Sequence, residues 1–391
     1  MANDRFLLIK TYSFMLWADI DHVLGQLLIA ELTNRIPVVY WPTHHLNNGF
    51  VQTNGFELYF EPINSYTIFD LTKPEYTYFP PIWDSDNLLV DDPTKDSWVY
   101  RNVGDILGSK ANVVVGDVYY NVFEIIPFIK KNHAAYGMNV EQVYRYLFNK
   151  YIRIKPDIDM EIQGYYNSWL KDNHPILAVH VRRVDENTVF DTRDADKFDN
   201  QYWNKVYRKL GKENGKPDRK TYKYLKKGKY REPNKIYHKE IRKIIEKYNI
   251  KKIFLLTDCQ DTVEEYKKMY GSLVAVTDCK RLSADQEETS YLENPMIKRR
   301  RGVEAIKDAY LAAKCDFFIG NDFSSLSHGI TRLKDWPSKN IKLLYWTYKR
   351  RKYPVNVKLV VRKDTNRLLN LIKKIFGKLV PGQGGAEDVK R

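Results

Sequence analysis

Little in this 391-residue chain points to the commoner site chemistries. The 3 cysteines, Cys259, Cys279 and Cys315, are scattered and odd in number. They form neither a zinc spacing nor a disulfide framework, which fits a reducing compartment. No apolar run reaches the roughly 18 residues that a membrane-spanning helix needs. The 8 histidines include no i, i+4 pair around a glutamate, so the common helical zinc motif is absent. His44 and His45 are adjacent and would point apart on extended backbone. No Gly-x-Ser-x-Gly elbow and no Walker loop occurs, which argues against serine-hydrolase and P-loop chemistry. The amino terminus enters a strand-like run almost at once and lacks the apolar core of a secretory leader. A cytoplasmic location is the expectation.

What the chain does have is positive charge, 64 Lys and Arg against 49 Asp and Glu, for a formal net charge of +15. Such an excess implies an anionic partner: nucleic acid, an acidic lipid surface or a phosphorylated substrate. With 43% hydrophobic and 29% charged residues the composition is that of a globular protein long enough for two domains. The 29 tyrosines could line a sugar site or simply fill core.

Strand-like and helical patterns alternate, which places the fold in the α/β class. Residues 6–10 read as a strand, 20–34 as an amphipathic helix and 36–41 as a second strand, a βαβ opening. The stretch 48–105 is rich in aromatic, Pro and Asp residues and has weak periodicity, and it reads as loops and short elements. A strand at 113–115 and a helix at 140–150 follow. In the second half, strands are expected at 176–181, 253–257, 273–276, 317–319 and 342–345. Helices are expected at 235–248, 262–270 and 303–314. This is a second doubly wound unit. Between its first strand and first helix lies a densely basic, tyrosine-interleaved stretch, an insertion spanning 199–234. It suits either nucleic-acid contact or, more commonly, a solvated loop. The basic amphipathic stretch 363–380 suits either packing on the protein or lying on an anionic bilayer. The tail after it has almost no core-forming residues.

Chemistry concentrates at strand ends. The run Ile176-Leu177-Ala178-Val179-His180-Val181 passes into Arg182-Arg183-Val184-Asp185. Ligands of open α/β sheets bind at the carboxyl ends of strands, and paired guanidinium forks suit a diphosphate. A surface Arg–Asp network is the plainer reading. A second strand ends in Thr257-Asp258, and a third leads into Asn321-Asp322-Phe323-Ser324-Ser325. Hydroxyl residues opening a helix after a strand can hold an anion, or can merely cap the helix. Four Asp-x-Asp patterns occur, at Asp19/Asp21, Asp84/Asp86, Asp157/Asp159 and Asp194/Asp196. None directly follows a convincing core strand, so no metal site is expected.

The ordered trio resembles the three motifs of the fucosyltransferase superfamily that includes Nod-factor, core N-glycan and protein O-fucosyltransferases. The first motif matches His180 to Asp185, and the second Thr257-Asp258. The third matches Asp308, then Asp316-Phe317, then Phe323-Ser324-Ser325. The match is good over about residues 175–335 and loose over the opening βαβ unit. The resemblance implies a GT-B fold, two Rossmann-like domains facing a cleft. It also implies metal-independent, inverting transfer from GDP-fucose, with no cofactor. By position, Arg182 would hold the diphosphate. His180 and Asp308 would meet the guanine, and Phe323, Ser324 and Ser325 would line phosphates and base. Arg183 and Asp258 would support the site. The expected division is 1–172 for the acceptor side, 173–350 for the nucleotide-sugar side and 351–391 for the terminal helix and tail. Expected partners are a GDP-sugar donor and a glycan or glycolipid acceptor, with nucleic acid disfavoured; the alternatives are a transferase of the same fold using another nucleotide-sugar, or a non-catalytic glycan- or nucleic-acid-binding protein on a degenerate transferase fold.

Two departures from the family pattern stand out. The core-type enzymes place a lysine directly after the first motif's Asp and a glutamate base four residues beyond it. Here those positions hold Glu186 and Phe190. Glu186, Asp191 and Asp194 are the acids of that loop able to replace the base, with Asp19 and Asp21 as the next candidates. The family's amino-terminal glycine-rich turn is replaced by Trp17-Ala18-Asp19-Ile20-Asp21-His22.

Overall fold

A computed structural model of the chain describes residues 5–11, 15–42, 54–89, 102–182, 233–282, 295–321 and 324–344. The chain divides into two compact units, Met1–Leu343 and Leu344–Arg391. Both sheets lie in the first unit, and of the second only Leu344 falls among the described residues. Arg183, Glu186, Asp191, Asp194, Phe323, the basic insertion up to residue 232 and the stretch 363–380 lie outside the described residues.

The elements follow in α/β order. The first half comprises β1 (Phe6–Lys10), α1 (Leu16–Thr33), β2 (Ile36–Tyr40), β3 (Tyr78–Phe79), the short α2 (Val103–Gly108), β4 (Val113–Gly116), the short α3 (Val122–Ile125), α4 (Val140–Tyr151) and α5 (Pro156–Tyr165). The second comprises β5 (Ile176–Val181), α6 (Pro233–Tyr248), β6 (Lys252–Thr257), α7 (Gln260–Tyr270), β7 (Val274–Ala275), α8 (Pro295–Ala313), β8 (Phe317–Asn321), α9 (Ser325–Leu333) and β9 (Ile341–Leu344). They build a four-stranded sheet in the order β2-β1-β4-β3 and a five-stranded sheet in the order β7-β6-β5-β8-β9. Every pair in the first sheet is parallel, as are β5 with β6, β5 with β8 and β6 with β7. The molecule is therefore α/β, with two Rossmann-like halves, the sheet arrangement of a GT-B fold.

Local chemistry explains the boundaries. Helix α1 stops because Asn34 takes the left-handed conformation, φ 50° and ψ 45°, and its N–H turns back onto the carbonyls of Ala30 and Glu31. Helix α4 starts at a reciprocal box in which Asn139 Oδ1 accepts the Gln142 N–H and Gln142 Oε1 accepts the Asn139 N–H. Pro156 opens α5, a helix position that does not need its missing N–H.

Strands β1 and β5 are buried along their whole length, as expected of parallel strands covered on both faces. Alternation divides the faces of the first sheet. Phe6, Leu8, Val113 and Val115 enter a small core with Trp83, while Leu7, Ile9 and Val114 enter the main one. That main core also takes Ile176, Ala178, Phe254, Leu256 and Phe318 from the second sheet. The two halves thus share one continuous interior.

Helices α1 and α4 of the first half meet α8 and α9 of the second along a close-packed seam. A Cβ at Gly329 would collide with the Trp17 ring, and one at Gly302 with the Tyr59 ring. Only glycine admits these approaches. Trp17 Nε1 donates to Ala305 O at 3.3 Å, so the indole that replaces the expected glycine-rich turn is satisfied as it is buried. At the far end of α9, Arg332 donates to the Asp21 carboxylate in a short buried ion pair. Its guanidinium carbon lies 3.6 Å from the Tyr144 ring centroid, and Nε is 3.5 Å from Glu141.

Candidate functional site

Strand register assembles the site. In the β5–β6 pair Val181 faces Thr257, so the next residues, Arg182 and Asp258, leave the sheet side by side. Arg182 Nη1 lies 2.8 Å from Asp258 Oδ2, with the side chains 27% and 25% exposed. The contact is an ion pair rather than an aligned hydrogen bond. A planar guanidinium presents its N–H groups in a fork that matches the oxygens of an anion.

On the opposite flank β5 pairs with β8, which feeds α9. His180 is buried, and its Nδ1 is 2.8 Å from Ser327 Oγ in the first turn of α9. Ser327 Oγ also accepts the Asn321 N–H at 2.9 Å. One hydroxyl therefore ties the ends of β5 and β8 to the start of α9. Because side chains alternate along a strand, the positions of His180 and Arg182 fall on the same face of the sheet. Burial, and then the neighbouring Arg182 charge, push the His180 pKa down to about 3, so its imidazole is neutral at neutral pH.

Ser324 is the residue before α9 and makes no side-chain cap hydrogen bond. Its N–H donates to Asn321 O at 3.1 Å, and its carbonyl accepts the His328 N–H at 3.2 Å. Ser324 and Ser325 are both half-buried. The first N–H groups of a helix have no partner within it and carry the positive end of the helix dipole.

Asp308 reaches this region from α8. It is buried, and Thr277 Oγ1 donates to its Oδ1 at 2.7 Å. Burial raises its pKa to about 6 against the opposing Thr277 hydrogen bond and the Arg281 and Lys307 charges. Thr277 and Arg281 belong to the segment after β7, which runs beside the end of β6. Leu282 N–H donates to Asp258 O at 3.1 Å, and Gln260 N–H to Leu282 O at 2.8 Å. Neither Thr277 nor Arg281 is among the residues expected from sequence. Their only signal there is a hydroxyl and a cation shortly after a weak strand.

Other expected residues separate from this group. Asp316 immediately precedes β8, at the amino edge of the sheet. Its carboxylate accepts the Ile176 N–H at 2.6 Å and lies 2.6 Å from His174 Nδ1. Its place in the third motif is thus structural, joining the starts of β5 and β8. Asp19 is fully buried, and the Asp21 carboxylate is held by Arg332. A general base must reach an acceptor hydroxyl, and neither is placed for that. Among the described residues no helix is long and apolar enough to cross a membrane.

No protein-family model matches the chain, and no curated protein does. Among solved structures, NodZ alpha-1,6-fucosyltransferase soaked with GDP-fucose is similar at 16% identity and TM-score 0.49, covering 84% of this chain and 92% of that one. The fucosyltransferase NodZ from Bradyrhizobium is similar at 14% identity and TM-score 0.47, with the same coverage. POFUT1 in complex with GDP-fucose is similar at 14% identity and TM-score 0.45, covering 88% of this chain and 98% of that one. At such identity no residue role passes from those proteins to this chain, which is similar to them in overall structure.

Proposed function

We infer that the chain is an inverting, metal-independent glycosyltransferase of GT-B type that moves fucose from GDP-fucose to a hydroxyl of a glycan or glycolipid. The observation that most supports this is the convergence of the motif residues on one sheet edge. Arg182 and Asp258 end adjacent strands, and His180 is hydrogen-bonded into the first turn of the helix that Ser324 and Ser325 begin. A cation, a row of helix N–H groups and a buried carboxylate suit diphosphate and base together.

In this reading the reaction is a single displacement. Arg182 and the α9 N–H groups stabilise charge on the departing diphosphate. Asp258 holds Arg182, and Arg183 supports the same edge. Ser324, Ser325 and the Phe323 backbone line the phosphates, and neutral His180 and Asp308 meet the base. A ligand that binds only the folded state at about 100 times its Kd adds about 2.7 kcal/mol of stability. GDP is therefore expected to raise the melting temperature, UDP and CDP are not, and EDTA should leave the GDP effect intact. A strict divalent-metal requirement for the GDP effect would end the metal-free reading, and a larger shift with UDP would reassign the donor.

The proposed base lies in the acidic loop after the first motif, at Glu186, Asp191 or Asp194. An inverting displacement needs a carboxylate within hydrogen-bond reach of the acceptor hydroxyl, on the face opposite the diphosphate. Each acid changed in turn to its amide tests this, with transfer and GDP binding assayed separately. One variant should lose transfer yet still bind GDP. Full transfer by all three would place the base elsewhere.

A further inference from the structure

A second guanidinium, that of Arg281, lies beside the end of β6. Arg281 spends its guanidinium on backbone: Nε donates to Thr257 O at 3.2 Å, Nη1 to Cys279 O at 3.2 Å and Nη2 to Thr277 O at 3.0 Å. Three carbonyls from two chain segments converge on one planar fork, an arrangement that a lysine ammonium could not reproduce. Its effect is to pin the turn after β7 against the end of β6. That turn carries Thr277, almost fully buried at 1% exposure, whose hydroxyl donates to Asp308 Oδ1. Tyr165 of α5 fastens the turn from behind, donating to Val276 O at 2.8 Å. No hydrogen bond to Asp308 Oδ2 is made among the described residues.

We propose that Thr277 and Arg281 form a positioning unit that aims the Asp308 carboxylate at a base carrying two adjacent N–H donors, the edge that guanine presents. This rests on the nucleotide-sugar reading above and deepens it by naming what selects the base. A carboxylate offers two acceptor oxygens and, while ionised, no donor. With Oδ1 held by Thr277, the orientation of Oδ2 is fixed. Adenine has no matching pair of donors, and leaving a buried carboxylate unmatched is costly.

The pairing requires Asp308 to be ionised, and the group sits near the edge of that condition. Burial raises its pKa to about 6. Facing it are Arg281 and Cys279 from the turn, Lys307 and Glu304 from its own helix, and Tyr165 from α5. The two cations favour the carboxylate, as does the Thr277 hydroxyl. Deleting that hydroxyl removes a hydrogen bond made to the charged form, so the pKa must rise and the acid limb of binding must move to higher pH.

The experiment is GDP affinity from pH 5 to pH 8 by calorimetry on the full chain. Wild type, Thr277→Val, Thr277→Ser and Asp308→Asn are compared. Wild-type affinity should fall as pH drops through about 6. In Thr277→Val the midpoint should move up by about one pH unit, with affinity at the alkaline end little changed. Thr277→Ser should restore the wild-type midpoint, and Asp308→Asn should show the smallest pH dependence and the weakest preference for GDP over ADP. The terminal phosphate of GDP also titrates near pH 6, but it does so identically for every variant, so the difference between curves reports the protein. A merely structural loss would weaken binding equally at all pH values. That outcome, or an unchanged midpoint in Thr277→Val, overturns the positioning role while leaving the donor reading in place. No GDP binding by wild type overturns both. If Thr277→Val does not fold, Thr277→Ala gives the same reading.

Discussion

Arg182→Ala should lower transfer from GDP-fucose by ~10²–10³, the usual cost of removing one preorganised donor aimed at developing charge. Arg182 is held in place before any substrate arrives, because the β5–β6 register sets it beside Asp258 at 2.8 Å. In the proposed site an alanine would remove the charge and leave Asp258 facing the diphosphate, so repulsion would add to the loss. Arg182→Lys should recover only part of the rate, since an ammonium cannot both pair with Asp258 and fork onto a diphosphate. Transfer and GDP binding are measured side by side. Wild-type turnover in Arg182→Ala would mean that the diphosphate binds elsewhere.

The largest effect on stability should come from the seam between the halves. Asp21 and Arg332 form an ion pair with side chains only 11% and 8% exposed. Removing one partner of such a pair strands a buried charge and typically costs about 3–5 kcal/mol. Arg332→Met should therefore shift the denaturant midpoint strongly, and Asp21→Asn should shift it somewhat less because the amide can still accept a hydrogen bond. The paired change Asp21→Leu with Arg332→Met should cost clearly less than the sum of its parts, because neither charge is then left alone. Equilibrium denaturation of the four proteins closes the cycle. Additive costs would show that the two side chains do not stabilise each other.

Strands β5, β6 and β8 were legible because fully buried parallel strands read as unbroken apolar runs that stop at charge or Gly. The opening β1-α1-β2 unit was legible for the same reason, aided by the helical stripe of α1. Strand β3 was not. Tyr78 and Phe79 are two residues in a stretch without periodicity, and they form a strand because they pair with Val113 and Val114. Helix α5 carried local signals, with Pro156 at its start and Asp157 and Asp159 in its first turn, but had too weak an apolar stripe to be noticed. The strand-end positions of His180, Arg182, Asp258 and Ser324 could be read because they lie at or directly after recognisable strands. Thr277 and Arg281 follow a two-residue strand and gave no such anchor. The Asp21–Arg332 pair joins residues 311 positions apart, and no local pattern announces a partner at that distance. Asp316 is part of the third motif in sequence, yet the length of β8 carries it to the opposite end of the sheet from Ser324.

The seam also limits how this chain can exchange parts with its relatives. Recombining one half with a foreign second half would preserve both sheets and still fail. Trp17 arrives without the glycine that makes room for it, and Asp21 without its cation. Trp17 with Gly329, Tyr59 with Gly302 and Asp21 with Arg332 are matched sets, each with one member on either side of the natural crossover point. Viable chimaeras must inherit all three together, so the halves can drift in sequence only in step along this line.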